Sequence, residues 1–317
     1  MNQAANRNET FSVSKASDFG SVAVLMGGLS AERDISLKSG EAVFGALQRK
    51  GVDATRIDVD ENILEQLSKQ QYDRAFVILH GRGGEDGVIQ AVLETLGVAY
   101  TGSGVLGAAL CMDKLRTKQI WSGAGLPTPE YIKLTEDSDI DAVAAKLGFP
   151  IIIKPSHEGS SIGMSKVDQL SELGPAWEKA RQYDDEVIAE KWIEGDEYTV
   201  TILQQQAFPM IRLETPNVFY DYDAKYVANT TTYHCPCGLQ AEQESVLQQL
   251  ALNAFNVLGA SGWGRVDFML DKAGQPWLIE ANTVPGMTDH SLVPMAASAA
   301  GVSFDELVWK ILETSCG

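Results

Sequence analysis

Two groups of residues have types and spacings that could carry chemistry. In the first, Lys154 ends the apolar run Ile151 to Ile153, and Glu158-Gly159-Ser160-Ser161-Ile162-Gly163 follows at once. A cation beside a small-residue turn can meet a phosphate with its charge, while turn N–H groups and hydroxyls cover the oxygens. A hairpin also needs Gly and Ser at its turn, so this segment alone leaves both readings open. In the second group, Asp267 sits in GRVDFML, and Glu280 with Asn282 in WLIEAN. Strand alternation puts Glu280 and Asn282 on one face, and a paired strand can bring Asp267 opposite them. Three hard oxygen ligands among apolar residues repel one another unless a cation joins them. Mg²⁺ under nucleotide phosphates suits such a set, because phosphate and water complete its octahedron. Each acid taken singly could face solvent on a strand edge; the E-x-N pattern beside a Pro/Gly turn favours the group.

A third pattern carries less. Gly102-Ser103-Gly104-Val105-Leu106-Gly107 fits G-x-G-x-x-G, follows a strand and precedes a helix. A dinucleotide fold wants an acidic residue at the end of the next strand, and the chain offers LPTPEY there instead. The match also falls at the fourth strand, so it reads as a tight strand-to-helix turn.

These residues need a scaffold. From Ser21 the chain alternates β-branched runs with helical stretches: VAVLM, DISLKSGEAVFGALQRKG, VDATRIDVD and RAFVILHG. That rhythm predicts an α/β fold with a parallel sheet covered by helices, whose ligands bind beside the Gly-rich strand ends. Pro127 and Pro129 make LPTPEY a connector. Beyond it, FPIIIKPS, GMSKV, DEVIAEKWI, EYTVTILQQQ and FPMIRLE read as strands of α+β lobes, with helices near Ser138 to Leu147 and Leu170 to Arg181. NVFYDYDAKYVANTTTYHCPCG has no clear period and reads as a lid, because long irregular loops in compact domains are usually functional. A helix from about Glu242 to Leu258, two strands and a helix near Phe304 to Leu312 complete the chain.

With 317 residues, 25 Lys plus Arg against 43 Asp plus Glu and a net charge of −18, the chain is ill suited to nucleic acid or an anionic membrane. No apolar run approaches the ~20 residues that span a bilayer. The polar residues 1–20 read as a flexible tail without a secretory core. Cys111, Cys235, Cys237 and Cys316 show no metal-finger spacing, which points to a cytoplasmic home.

From about Ser21 onward the sequence resembles the D-alanine–D-alanine ligase family of the ATP-grasp superfamily. The resemblance rests on GGLSAERDISLKSG, LHGRGGEDG, YTGSG, MDKLRTK, KPSHEGSSIGMSK, EKWIEGDEYTV, FYDYDAKY, GWGRVDFML and EANTVPGMTDHSLVPMAA, in this order. It implies three lobes: 21–112 as a substrate-binding domain, 113–196 as a central lobe, and 197–317 as a C-terminal lobe with metal site and lid at about 215–238. The nucleotide would lie between the last two lobes. The implied activity joins two D-alanine molecules through an acyl phosphate, for peptidoglycan precursor synthesis, in a cytoplasmic homodimer. The competing readings are a D-alanine–D-lactate depsipeptide ligase and another ATP-grasp carboxylate–amine ligase.

By the same resemblance, Lys114 and Lys154 would hold ATP phosphates, with Ser161 and Lys225 also on the nucleotide. Glu190 and the backbone of Lys191 and Ile193 would read the adenine edge, Trp192 would pack near the base, and Glu197 would take the ribose. Asp267, Glu280 and Asn282 would ligate two Mg²⁺ ions, with Mn²⁺ able to substitute. Glu32 would anchor the first D-alanine and, with Ser160 and Tyr226, tie the lid; an acid there could instead complement a helix N-terminus. His80 would lie near the first substrate, or else serve structurally. Arg265 and the Gly286 backbone would face the developing oxyanion, and Ser291 with Leu292 would receive the second carboxylate. Two departures stand out. Val284 occupies a place that usually carries a serine hydroxyl, and Cys235 and Cys237 match no family feature. Tyr226 after Lys225 favours the dipeptide over the ester.

Overall fold

The computed structural model describes residues 12–215 and 231–316. Strand β1 (Ser21–Gly27) is an apolar run buried along almost its whole length, as a strand covered on both faces must be. It pairs in parallel with β2 (Asp53–Val59) and β3 (Arg74–Val77), and β3 pairs in parallel with β4 (Ala99–Tyr100), giving the order β2-β1-β3-β4. Helices α1 (Arg33–Arg49), α2 (Ile63–Lys69), α3 (Val88–Leu96) and α4 (Val105–Met112) connect and extend this unit. The G-x-G-x-x-G segment covers the end of the short turn after β4 and the first residues of α4, as its sequence context indicates.

After α5 (Lys114–Gly123), a second sheet forms from β5 (Tyr131–Leu134), β6 (Ile151–Pro155), β7 (Ser165–Val167) and β8 (Val187–Lys191). Its order is β5-β8-β6-β7, antiparallel throughout, with α6 (Ile140–Leu147) and α7 (Leu170–Arg181) supplying its small core. Helix α6 starts two residues later than expected because Asp139 takes the N-cap, accepting from Ala142 N–H at 3.1 Å.

The third sheet runs β12-β11-β9-β13-β14, with β10 added to β9. Its strands are β9 (Gly195–Leu203), β10 (Gln206–Ala207), β11 (Ile211–Glu214), β12 (Thr232–His234), β13 (Trp263–Asp271) and β14 (Pro276–Asn282). Helix α8 (Ala241–Val257) packs behind it through Leu247, Ala251, Ala254 and Phe255. The last helices, α9 (Leu292–Ala299) and α10 (Phe304–Glu313), return to the parallel sheet. Ser303 and Glu306 form a capping box that starts α10. Its Leu307, Val308, Ile311 and Leu312 are fully buried, each stabilising by about 1.5–3 kcal/mol.

Three expectations need correction. The stretch 1–20 is not loose throughout: Ala16–Phe19 form a 3-10 turn, and buried Phe19 packs edge-on against Trp309 at 4.9 Å. An apolar ring with a cavity to fill outweighs the polar composition around it. Helix α5, placed with the central lobe, sends Trp121 into the core of the third sheet, where its indole N–H donates to Ala254 O at 2.9 Å. The end of the expected lid is regular, since Thr232–His234 form the edge strand beside β11. Its greater part, 216–230, with Lys225 and Tyr226, lies outside the described residues.

Candidate active site

The second and third sheets enclose a cavity of about 430 Å³, lined by Lys114, Lys154, Ser161, Glu190, Lys191, Trp192, Ile193, Glu197 and Glu280 among others. Every described residue assigned to the nucleotide is therefore on one wall or another. Lys154 is buried, and Glu190 lies opposite Ile152, so the two share a sheet face as diagonal neighbours. Lys154 Nζ donates to Glu190 Oε1 at 3.0 Å. The other carboxylate oxygen meets Lys118 Nζ at 2.7 Å, so Glu190 spends its charge on two lysines. Burial would raise its pKa, yet the two cations hold it below the ordinary glutamate range. Lys191 N–H donates to Glu130 O at 2.8 Å. Lys114, at the start of α5, donates to Glu158 O at 2.6 Å and lies 3.7 Å from Glu280 Oε2. One cation thus joins the small-residue loop to the acid wall.

A second cavity of about 90 Å³ adjoins the first and is lined by Glu32, His80, Glu85, Ser160, Arg265, Glu280, Asn282, Gly286, Ser291 and Leu292, with others. Glu280 lines both. Glu32 holds the N-cap position of α1 but makes no capping bond. Its buried carboxylate instead accepts from the Ser160 hydroxyl, which ties the parallel-sheet unit to the small-residue loop. Glycines make room for it: a Cβ on Gly81 or Gly159 would come within 2.7 or 2.8 Å of Glu32 Oε2. Ser160 and Ser161 have φ of 50° and 60°, a left-handed backbone that L residues adopt at a cost of about 1–2 kcal/mol each. Such strain persists where neighbours over-determine the loop.

His80 is buried, which pushes its pKa down and keeps the ring neutral. Its Nδ1 lies 2.8 Å from Val284 O and its Nε2 3.3 Å from Ser39 Oγ, while Ser39 Oγ accepts from Met287 N–H at 3.1 Å. A neutral ring bonded to Val284 O must carry its proton on Nδ1. Glu85 accepts from Gly81 N–H at 2.8 Å and Val284 N–H at 3.1 Å, and burial beside Glu32 pushes its pKa up to about 8. Val284 therefore works through its backbone, and loss of a side-chain hydroxyl leaves these ties in place. Ser291 precedes α9, whose first N–H groups can receive a carboxylate. Its Oγ accepts from Thr288 N–H at 2.9 Å, and a Cβ on Gly286 would stand 2.9 Å from it.

The acid set is built by strand register. Asp267 pairs with Glu280 and Arg265 with Asn282 across β13 and β14, so all four fall on one face. Asp267 is buried and accepts from Arg265 Nε at 2.8 Å, Arg265 Nη2 at 2.7 Å, Asn282 Nδ2 at 3.1 Å and Thr199 Oγ1 at 2.6 Å. Two carboxylates and one amide on one strand face are hard donors that suit Mg²⁺, with Glu280 lining both cavities and Asn282 the second.

Residues 120–313 match the family model described as D-ala D-ala ligase C-terminus, and residues 61–103 match D-ala D-ala ligase N-terminus. The D-alanine–D-alanine ligase of Methylococcus capsulatus is 59% identical over 303 residues, covering 96% of this chain and 98% of that protein. The chain belongs to the D-alanine–D-alanine ligase family. The family's Nitrosococcus oceani member is 61% identical over 297 residues, 94% of each chain. The crystal structure of the Bacillus anthracis D-alanine–D-alanine ligase complexed with ATP superposes with a TM-score of 0.83 at 33% identity, covering 93% of this chain and 97% of that one. The fold of this D-alanine–D-alanine ligase family member is accordingly ATP-grasp.

Several residues around the ligase-family site escape a reading by motif. Lys118 and Glu85 lie inside MDKLRTK and LHGRGGEDG, but only the folded chain reveals what they touch. Ser39 lies in GGLSAERDISLKSG on α1, but the sequence does not show that it meets His80 and Met287. His157, just before the small-residue loop, bridges Asp184 at 2.8 Å and Asp113 at 3.2 Å, and these bonds push its pKa up to about 9. Cys235 and Cys237 are free thiols; Cys237 is buried in the third sheet's core, which pushes its pKa up.

Proposed function

We infer that the chain joins two D-alanine molecules into D-alanyl-D-alanine, driven by ATP and releasing ADP and phosphate, as a step of peptidoglycan precursor synthesis. The observation that carries this is Glu280, which lines both the cavity suited to a nucleotide and the cavity suited to small amino acids. A phosphoryl group leaving the first cavity arrives where a carboxylate in the second can take it.

A carboxylate is a poor electrophile, so it must be activated. The γ-phosphoryl passes to the first D-alanine, giving an acyl phosphate and ADP. The free amine of the second D-alanine attacks, and the tetrahedral oxyanion expels phosphate. Lys114 and Lys154 hold the phosphates, a task of positioning and electrostatics. Glu190 with the Lys191 and Ile193 backbone meets the adenine, Trp192 its face and Glu197 the ribose. Glu32 binds the first ammonium, and Ser160 fixes that carboxylate. Neutral His80 and Glu85 hold the Gly81 and Val284 segments together around it. Arg265 and Gly286 N–H face the oxyanion, and Ser291 with Leu292 receives the second carboxylate. Mg²⁺, or Mn²⁺ in its place, would be held by Asp267, Glu280 and Asn282 and would neutralise charge on the transferring group. By the family resemblance Lys225 would meet the nucleotide and Tyr226 would tie the lid, and Tyr226→Ala would raise ATP hydrolysis relative to dipeptide formation.

Among the described residues no helix is long and apolar enough to cross a membrane. Cytoplasmic residence fits four cysteines that are all unpaired. The homodimer follows from the resemblance, and sedimentation of the purified chain tests it. The direct test of function is phosphate release with ATP, Mg²⁺ and D-alanine, with L-alanine as control. Release that depends on D-alanine, with the dipeptide recovered, supports the reading; equal release with either enantiomer, or none, overturns it.

A further inference from the structure

Lys118 lies one helical turn beyond Lys114 on α5 and has no solvent exposure. Its ammonium contacts Glu190 Oε2 at 2.7 Å and donates to Thr128 Oγ1 at 2.8 Å, while Thr128 Oγ1 donates on to Leu278 O at 2.9 Å. The Tyr131 ring lies 5.9 Å away. Three charged side chains, Lys118, Glu190 and Lys154, therefore meet in one buried group beneath the nucleotide cavity. Two cations share one carboxylate, and the group carries a net charge of one positive unit.

That surplus has a consequence for the phosphates. If Glu190 faced Lys154 alone, the pair would be neutral and Lys154 would present little field to an anion. With Lys118 holding the second oxygen of Glu190, the carboxylate can orient Lys154 without cancelling it. We propose that Lys118 is a positioning residue for ATP, the buried counter-charge that lets Glu190 fix Lys154 in place while leaving its positive charge for the phosphates. Burial and the neighbouring Lys154 push the Lys118 pKa down, to about 8, as expected for a cation kept inside for its electrostatic effect. The inference rests on the ATP-dependent reading above.

The test is a double-mutant cycle of Lys118→Met and Glu190→Gln, with ATP and Mg²⁺ binding measured by calorimetry in the absence of D-alanine. Folding is checked by thermal melts. Lys118→Met should weaken ATP binding about 10- to 100-fold, because the remaining Glu190 then neutralises Lys154. The rate at saturating ATP should fall far less than the affinity. In a Glu190→Gln background, which itself loses the adenine contact, Lys118→Met should cost little further affinity, which a purely structural role for Lys118 would not allow. If the single Lys118→Met variant does not fold, the double variant and Glu190→Gln alone still decide the matter. They should bind ATP within about threefold of each other, since without the carboxylate Lys118 has nothing to balance. The proposal is overturned if Lys118→Met binds ATP like the parent, or if it costs as much affinity with Gln at 190 as with Glu. A parent chain that binds no ATP would instead overturn the functional reading.

Discussion

Arg265 and Asp267, two residues apart on β13, form a bidentate pair within one strand: Nε and Nη2 of the arginine reach the two carboxylate oxygens at 2.8 and 2.7 Å. Both side chains are largely buried, at 13% and 8% exposure. The residue proposed to face the oxyanion therefore also balances the acid proposed to hold the metal, so the two form one electrostatic unit.

Arg265→Ala should leave ATP affinity near that of the parent and reduce turnover on the order of 100- to 1000-fold, the usual cost of an oxyanion donor. Stopped-flow measurement of ADP release at saturating substrate checks it. Near-normal turnover would remove Arg265 from the reaction.

Ser160→Ala removes the hydroxyl that the Glu32 carboxylate accepts from. A hydrogen bond to a charged group contributes about 1.5–3 kcal/mol, so KM for the first D-alanine should rise roughly ten- to hundredfold. KM for ATP should move little, and steady-state kinetics with each substrate varied in turn separates the two.

The pH dependence of stability follows from His157. Its bonds to Asp113 and Asp184 raise the folded pKa to about 9 from an ordinary 6.5. A raised histidine stabilises in full below the unfolded value and loses that contribution as pH climbs through the folded one. The thermal midpoint should thus decline between about pH 6.5 and 9. His157→Gln should show a lower midpoint at pH 6 and a flatter profile across that window; identical profiles would refute the linkage.

Trp121→Phe deletes the indole N–H that donates to Ala254 O and leaves a buried carbonyl unpaired. The expected destabilisation is about 1–3 kcal/mol by chemical denaturation. Because α5 also carries Lys114 and Lys118, KM for ATP should rise with it. A stability loss without any change in KM would show that α5 holds its place by other contacts.

The alternation of apolar runs and helical stretches was enough to read a parallel sheet followed by a different kind of domain, since those patterns record which faces must be buried. The E-x-N spacing put Glu280 and Asn282 on one face because a strand alternates sides by geometry alone. Local chemistry also placed the small-residue loop after Lys154. What the sequence left undetermined was every relationship between distant segments. The pairing of Asp267 with Glu280 depends on the register between β13 and β14, which slips by one at a bulge after Asp267. Phe19, Trp121 and Lys118 each sit in a polar or amphipathic stretch, and their burial is decided by neighbours hundreds of residues or a whole sheet away. Spacing along a chain constrains direction within one element, but the charge a buried group feels is set by whichever elements pack against it. For that reason candidate site residues could be named from the family resemblance, while the sharing of Glu190 by two lysines and of Asp267 by Arg265 and Asn282 came only from the folded chain.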